Sequence, residues 1–310
     1  MSEVGAGGRG ADRTLIVWWF REGPSEQDGQ ARGLLKALES YRPLRIYAAP
    51  VVRTWRAWRF VLRRYYPATE LPDPDVLIGT GRDTHWSMLA ARWVRGGRIV
   101  TLCKPRLPRW WFNLCIVPAH AGGKDSMRMI ATRGALPPPS KPLPKAAGTG
   151  LILLGGPTTQ YRWSDEDTLS RIAEILARHP DHRWYVVTTL QTPVETERRV
   201  QELATPNVIA MAHHETDPKW LLARIQDAEQ VWVSEDQLAV IYQALTAGAA
   251  VGVLPVPRIK PSREVAALEG LAVFFPQWQA GTPLQAPQPP FNESARCAAE
   301  IHRRWLSNVA

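Results

Sequence analysis

The apolar run Leu151-Ile152-Leu153-Leu154, which stops at Gly155-Gly156-Pro157-Thr158, constrains the fold of this chain more than any other stretch. Branched aliphatic residues without alternation suit a strand covered on both faces, hence a parallel sheet flanked by helices. The two glycines let the next loop bring backbone N–H groups close to a phosphate, although a plain tight turn uses the same residues. Because the run follows the proline-rich residues 137–144, it reads as the start of a second α/β domain.

The rest of the chain supports that division. Its 310 residues exceed one comfortable core, and an apolar content of 45% is enough for two. Strands are expected at 15–20, 44–48, 75–79, 98–103, 114–117 and 129–132, with helices after the first and the third. Beyond the linker the alternation repeats. Strands are expected at 151–154, 184–188, 208–211, 231–233 and 251–254, and helices at 165–178, 194–203, 218–225 and 238–246. The expected fold class is α/β, with two Rossmann-like, doubly wound domains. Residues 13–136 form the first, 137–149 the linker, 150–290 the second, and 291–310 a final helix returning to the first; residues 1–12 are expected to be disordered. Ligands of such domains bind at the carboxyl ends of the parallel strands, so a cleft shared by the two is the expected site.

Charge divides unevenly at the linker. Residues 1–150 carry 24 Lys+Arg against 11 Asp+Glu, and the remainder carries 14 against 18. The basic half therefore suits an anionic partner, nucleic acid or lipid head groups, or else it is a solvated arginine-rich face. No run of 18 apolar residues and no signal-peptide pattern occurs, which predicts a cytoplasmic protein. Cys103, Cys115 and Cys297 are too scattered for a disulfide framework or a zinc site and read as ordinary buried thiols. None of the seven histidines has helical i, i+4 spacing, and His213-His214 are expected to point apart, so no metal is expected. Asp73-Pro74-Asp75 has the D-x-D spacing of a metal-held nucleotide but precedes its strand, which favours a turn entering the sheet.

Three further segments carry candidate chemistry. Trp55, Trp58, Leu62 and Tyr65 recur at helical spacing among Arg59 and Arg63. This is either an interfacial membrane helix or a helix packed on the sheet with arginine stems over it. Dedicated nucleic-acid motifs are absent, so no nucleic-acid partner is expected. Ser234-Glu235-Asp236-Gln237 ends a strand and opens a helix, where polar groups hold a ribose or phosphate or simply cap the helix. Asp165, Glu166 and Asp167 suit the first turn of a helix capped by Ser164 and read as structural.

Taken together, Gln30-Ala31-Arg32-Gly33-Leu34, Lys104-Pro105-Arg106-Leu107-Pro108, Val117-Pro118-Ala119-His120, Thr132-Arg133-Gly134-Ala135-Leu136, Leu154-Gly155-Gly156-Pro157-Thr158 with Tyr161-Arg162-Trp163, and Thr188-Thr189 with Thr192-Pro193 resemble one family. It is that of the mitochondrial-fission Elm-one-like proteins, regarded as glycosyltransferases of the GT-B fold. The resemblance implies a nucleotide-sugar donor on the second domain, a lipid-linked or glycan acceptor on the first, and no obligatory metal or cofactor. It also implies a cytoplasmic protein peripheral to the inner membrane. Donor contacts are expected from Gly155, Gly156, Pro157, Thr158, Thr189, Ser234, Glu235, Asp236, Gln237 and Gln243. Lys104 and Arg106 are expected on phosphate or acceptor, with His85 as first choice of general base, then Asp83 and His120. The chain departs from the family where Asp236-Gln237 and Tyr242-Gln243 replace an Asp-Ser and a Ser-Glu pair. Gln243 carries no charge where an acid commonly holds the donor ribose. A catalytically degenerate scaffold acting through membrane or protein contacts is therefore the rival reading, and a nucleotide-sugar epimerase on the same fold is a third.

Overall fold

Short β-branched and aromatic runs alternate with amphipathic helices along almost the whole chain. The computed structural model describes residues 14–21, 26–52, 57–139, 144–271, 283–286 and 291–306. In order, the first elements are β1 (Leu15–Arg21), α1 (Glu26–Leu38), β2 (Leu44–Ala49), α2 (Trp58–Leu62), β3 (Val76–Thr80), α3 (His85–Arg95), β4 (Arg98–Thr101), β5 (Leu114–Pro118) and β6 (Met129–Thr132). There follow β7 (Ala146–Leu153), α4 (Asp165–Arg178), β8 (Arg183–Val187), α5 (Val194–Gln201), β9 (Val208–Met211), α6 (Pro218–Asp227), β10 (Ala228–Ser234), α7 (Leu238–Thr246), β11 (Ala250–Leu254), α8 (Arg263–Leu271) and α9 (Glu293–Ile301). Two compact units result, one of Met1–Pro139 with Asn292–Ala310 and the other of Ser140–Phe291.

The first unit holds a parallel sheet in the order β2-β1-β3-β4-β5-β6. Its two faces are covered by separate apolar layers. Leu34, Leu35 and Leu38 of α1 and Cys297, Ala298 and Ile301 of α9 lie on Val17, Ile78 and Val100. Met88, Ala90 and Ala91 of α3 lie with Phe112 on Trp18, Leu77 and Ile99. The final helix thus packs on the first unit, as the sequence predicts. It gives way to a π-helical turn, His302–Leu306, rather than running on as α-helix.

The second unit holds a parallel sheet in the order β11-β10-β7-β8-β9. Helix α4 shows why its residues fold as they do: Ser164 caps its amino end, three acids fill its first turn, and Leu169, Ile172 and Ile175 recur on the buried side. Strand β7 begins at Ala146, inside the expected linker. Its leading residues are small and polar, so no apolar pattern announces them, yet Gly150 is required there. A Cβ at Gly150 would stand 2.2 Å from the Trp184 ring on β8. Helix α8 has no counterpart among the sequence expectations. The Asp73-Pro74-Asp75 turn enters the sheet: Asp75 accepts the Ile16 amide at 2.9 Å and Asp73 pairs with Arg95.

Candidate functional site at the strand carboxyl ends

In the second sheet the chain reverses its winding direction between β7 and β10, and this switch point brings the Gly155-Gly156 turn against Ser234–Gln237. The Gly155 amide donates to the Ser234 hydroxyl at 2.8 Å, and the Gly156 amide donates to the Asp236 carboxylate at 3.0 Å. Gln237 closes the group, its amide nitrogen 2.9 Å from the same Asp236 oxygen. The other Asp236 oxygen is buried and has no hydrogen-bond partner among the described residues. Two amides expected to be open to phosphate are therefore spent within the protein, and a carboxylate stands in the glycine turn. A Cβ at Gly155 would lie 1.8 Å from that carboxylate, and one at Gly156 would lie 1.8 Å from the Gln191 carbonyl oxygen. Close packing against backbone demands the second glycine, whereas at the first the Asp236 side chain would have to move.

The remaining expected donor contacts differ in availability. Glu235 is buried and held by Arg258 at 2.5 Å, and it also accepts the Val256 amide, so it serves as an internal ion pair. It was expected as a donor contact, and the structure instead closes it in this ion pair. Burial, and then the Glu235 carboxylate, push the Tyr161 hydroxyl above its ordinary value, which keeps that phenol protonated beside the acids. Thr158 accepts the amides of Gln160 and Tyr161 and so fixes the turn after Gly156. Pro157 and Gln243 are exposed, and Thr189 and Gln237 are half-buried.

The first sheet has its own switch point, between β1 and β3. Here Arg21 pairs with Asp28 at 2.6 Å and the Thr80 hydroxyl donates to the other Asp28 oxygen at 3.1 Å. Asp28 was missed in the sequence because it sits within an ordinary amphipathic helix, where an acid every few residues is unremarked. His85, the first choice of base, is 2% exposed, with Nε2 3.2 Å from the Thr101 hydroxyl and 3.5 Å from the Cys103 sulfur. Phe112 meets its ring edge-on at 5.0 Å. Burial foremost, then the Arg82 charge, lowers its pKa to about 4. A ring so enclosed is closed off from solvent, unlike the other two residues expected as bases, Asp83 and His120. Both are exposed, Asp83 just ahead of α3 and His120 in the helical turn after β5. Lys104 and Arg106 are exposed as well, and the Lys104 amine lies 3.2 Å from where a Gly122 Cβ would stand, beside the His120 turn.

Among the described residues the expected membrane helix is a single turn. α2 ends at Leu62, and Arg64, with φ of +47°, turns the chain away. Arg59, Leu62, Arg63 and Tyr65 are exposed, Trp55 lies outside the described residues and the Trp58 side chain is likewise outside them. A second aromatic surface, unforeseen, is a pocket of about 650 Å³ lined by Leu89, Arg92, Trp93, Trp110 and Trp111, with Trp93 67% and Trp110 69% exposed. No helix among the described residues is long and apolar enough to cross a membrane.

A family described as Mitochondrial fission ELM1 matches residues 27–305. The chain belongs to the Mitochondrial fission ELM1 family. No curated protein matches it. Solved structures similar to it include a Listeria monocytogenes protein named as a UDP-N-acetylglucosamine 2-epimerase, at 12% identity over 83% of this chain and 82% of that chain, TM-score 0.49. The Neisseria meningitidis UDP-GlcNAc 2-epimerase bound to UDP-GlcNAc is similar at 12% identity over 96% and 100%, TM-score 0.43. The ADP-heptose lps heptosyltransferase II of E. coli is similar at 11% over 77% and 84%, TM-score 0.42.

In this ELM1-family chain some of the motif segments meet within each unit. Gly33 lies against Leu136, so two distant segments share one close contact. Thr192 places its hydroxyl on the Leu154 and Gly155 carbonyls and accepts the Thr189 amide, tying the loop after β8 to the glycine turn. His213 and His214, expected to point apart, have rings nearly perpendicular at 86°. Each nevertheless offers a nitrogen within 4.8 Å of the other and of a Glu197 carboxylate oxygen.

Proposed function

We propose that this protein is a GT-B-type glycosyltransferase that takes a sugar from a nucleotide-sugar donor, with the donor on the second unit and the acceptor on the first. The observation that carries this reading is the convergence of Gly155, Gly156, Ser234, Asp236 and Gln237 at the switch point of the second parallel sheet, where open α/β sheets bind nucleotides. Thr158, Thr189 and exposed Gln243 are then donor contacts. Asp83 or His120 deprotonates the acceptor, and Lys104 and Arg106 neutralise phosphate. The acceptor class that suits the exposed Trp93 and Trp110 beside Arg92 is lipid-linked, at the cytoplasmic membrane surface. The nucleotide sugar is substrate, and the reading draws on no cofactor and no metal.

The carboxylate in the glycine turn favours a second reading, in which the site no longer takes a diphosphate and the protein is a scaffold acting through membrane or protein contacts. Thermal stabilisation by a panel of nucleoside diphosphates separates the two. A ligand at 100 times its dissociation constant adds about 2.7 kcal/mol. The glycosyltransferase reading expects stabilisation by one base that shrinks in Gln243→Ala, a surface change that leaves the fold intact. Absence of a shift with every nucleotide, on folded protein, sinks that reading in favour of the scaffold. Gly156→Asp is unsuitable as a control, because its side chain meets the Gln191 backbone.

A further inference from the structure

The Glu197-His213-His214 group takes part neither in the switch-point site nor in the first unit. Glu197 comes from α5, and the two histidines from the helical turn His213–Glu215 that follows β9, so the group caps the carboxyl edge of the second sheet. Adjacent histidines on a strand would face opposite ways, but here the backbone leaves the strand before them. Glu215 accepts the Ala212 amide at 2.6 Å and Thr216 donates its hydroxyl to the His213 carbonyl at 3.2 Å, which holds the turn. The three ligand atoms lie within 4.8 Å of one another. A tetrahedral ion with bonds of about 2.1 Å spaces its ligand atoms roughly 3.4 Å apart, so small side-chain rotations complete the set.

The carboxylate is also prepared. Thr188, 2% exposed at the end of β8, donates its hydroxyl to Glu197 Oε2 at 2.7 Å, and the same oxygen lies 3.7 Å from His213 Nδ1. A buried donor that fixes a ligating carboxylate is a usual companion of a metal ion. Two imidazoles and one carboxylate suit borderline divalent transition ions such as zinc or cobalt rather than magnesium or calcium, which prefer oxygen alone. We infer that Glu197, His213 and His214 bind one divalent transition-metal ion, with the remaining coordination position open to water. Bound there, the ion clamps α5 to the turn after β9. The inference is independent of the glycosyltransferase reading.

The test is isothermal titration of the full-length, tag-free protein with zinc, and with cobalt for its visible spectrum. One equivalent should bind, and the cobalt complex should show the ligand-field bands of a low-coordinate site. His213→Ala, His214→Ala and Glu197→Gln should each weaken binding at least tenfold, and Thr188→Val by roughly tenfold through loss of the carboxylate's donor. The other histidine pair with an acid nearby, His179 and His182 beside Glu229, provides the control, and His182→Ala should leave the affinity unchanged. No saturable binding to the native protein overturns the assignment. So does binding that persists in the His213→Ala/His214→Ala double variant, or that is lost only in His182→Ala. Because His214 and Glu197 are at least partly exposed, a folded variant is expected for each, checked by circular dichroism.

Discussion

His85 is neutral in the folded protein because its surroundings make the cation costly. Its pKa is lowered to about 4, whereas in the unfolded chain the ring titrates near the ordinary 6.5. Between those values the unfolded chain takes up a proton that the native one refuses, so the native state is favoured fully above pH 6.5 and loses that advantage as pH falls towards 4. The swing amounts to roughly 3 kcal/mol. His85→Gln retains a group that can meet the Thr101 hydroxyl and does not titrate. Denaturant unfolding at pH 7 and pH 4.5 should show a smaller loss of stability in the variant than in the native protein, and equal losses would refute this account. The sequence showed a histidine opening a helix after a glycine turn, which is the address of a catalytic base. It did not show Phe112, Thr101 and Cys103 closing over the ring, since those come from two other segments. Glu235 was misread for the same reason: its partner Arg258 lies 23 residues away on a loop with no pattern of its own.

At the scale of elements, periodicity located most helices and strands, and glycine contacts explain why the family-like motifs have the residues they do. Gly33 and Gly29 lie on the same helix, α1, yet face different neighbours. A Cβ on Gly33 would stand 1.9 Å from the Leu136 carbonyl oxygen, which belongs to backbone and has little room to move, while one on Gly29 meets nothing within 4 Å. Opposite signs are expected for one chemical change. Gly33→Ala should destabilise the first unit by about 3 kcal/mol, as overpacking against backbone does. Gly29→Ala should stabilise it by roughly 0.5–1 kcal/mol, because helix interiors favour alanine. Urea midpoints of the two variants measure this directly, and a shift of the same sign in both would contradict the contact. What the sequence did not reveal at this scale is where a pattern is silent. The small residues that open β7 look like linker, and α2 stops at one turn because Arg64 adopts a left-handed conformation that composition does not announce.

For the whole molecule, the order of elements along the chain differs from their order in the two units, since the last helix belongs to the first unit. The sequence predicts residues 291–310 to be a final helix returning to the first domain, and α9 does pack there. Its consequence is physical. Cys297, Ala298, Ile301 and Leu306 fill the layer over α1 and β1, the Leu306 carbonyl accepts from the buried Arg42 guanidinium at 2.9 Å, and Arg133 donates its amide to Glu293. Removing residues 292–310 uncovers this apolar layer and takes a partner from a buried charge, a combination worth several kcal/mol against a domain stability of only about 5–15. Truncation after Phe291 should therefore collapse the first unit and spare the second. Amide hydrogen exchange should show protection lost across Val17–Phe20 and Leu77–Ile78 while Leu151–Leu153 and Val231–Val233 keep theirs. Retained protection in both sheets would mean that the first core closes without α9. Loss in both would mean that the second unit, for all its separate core, does not stand without the first.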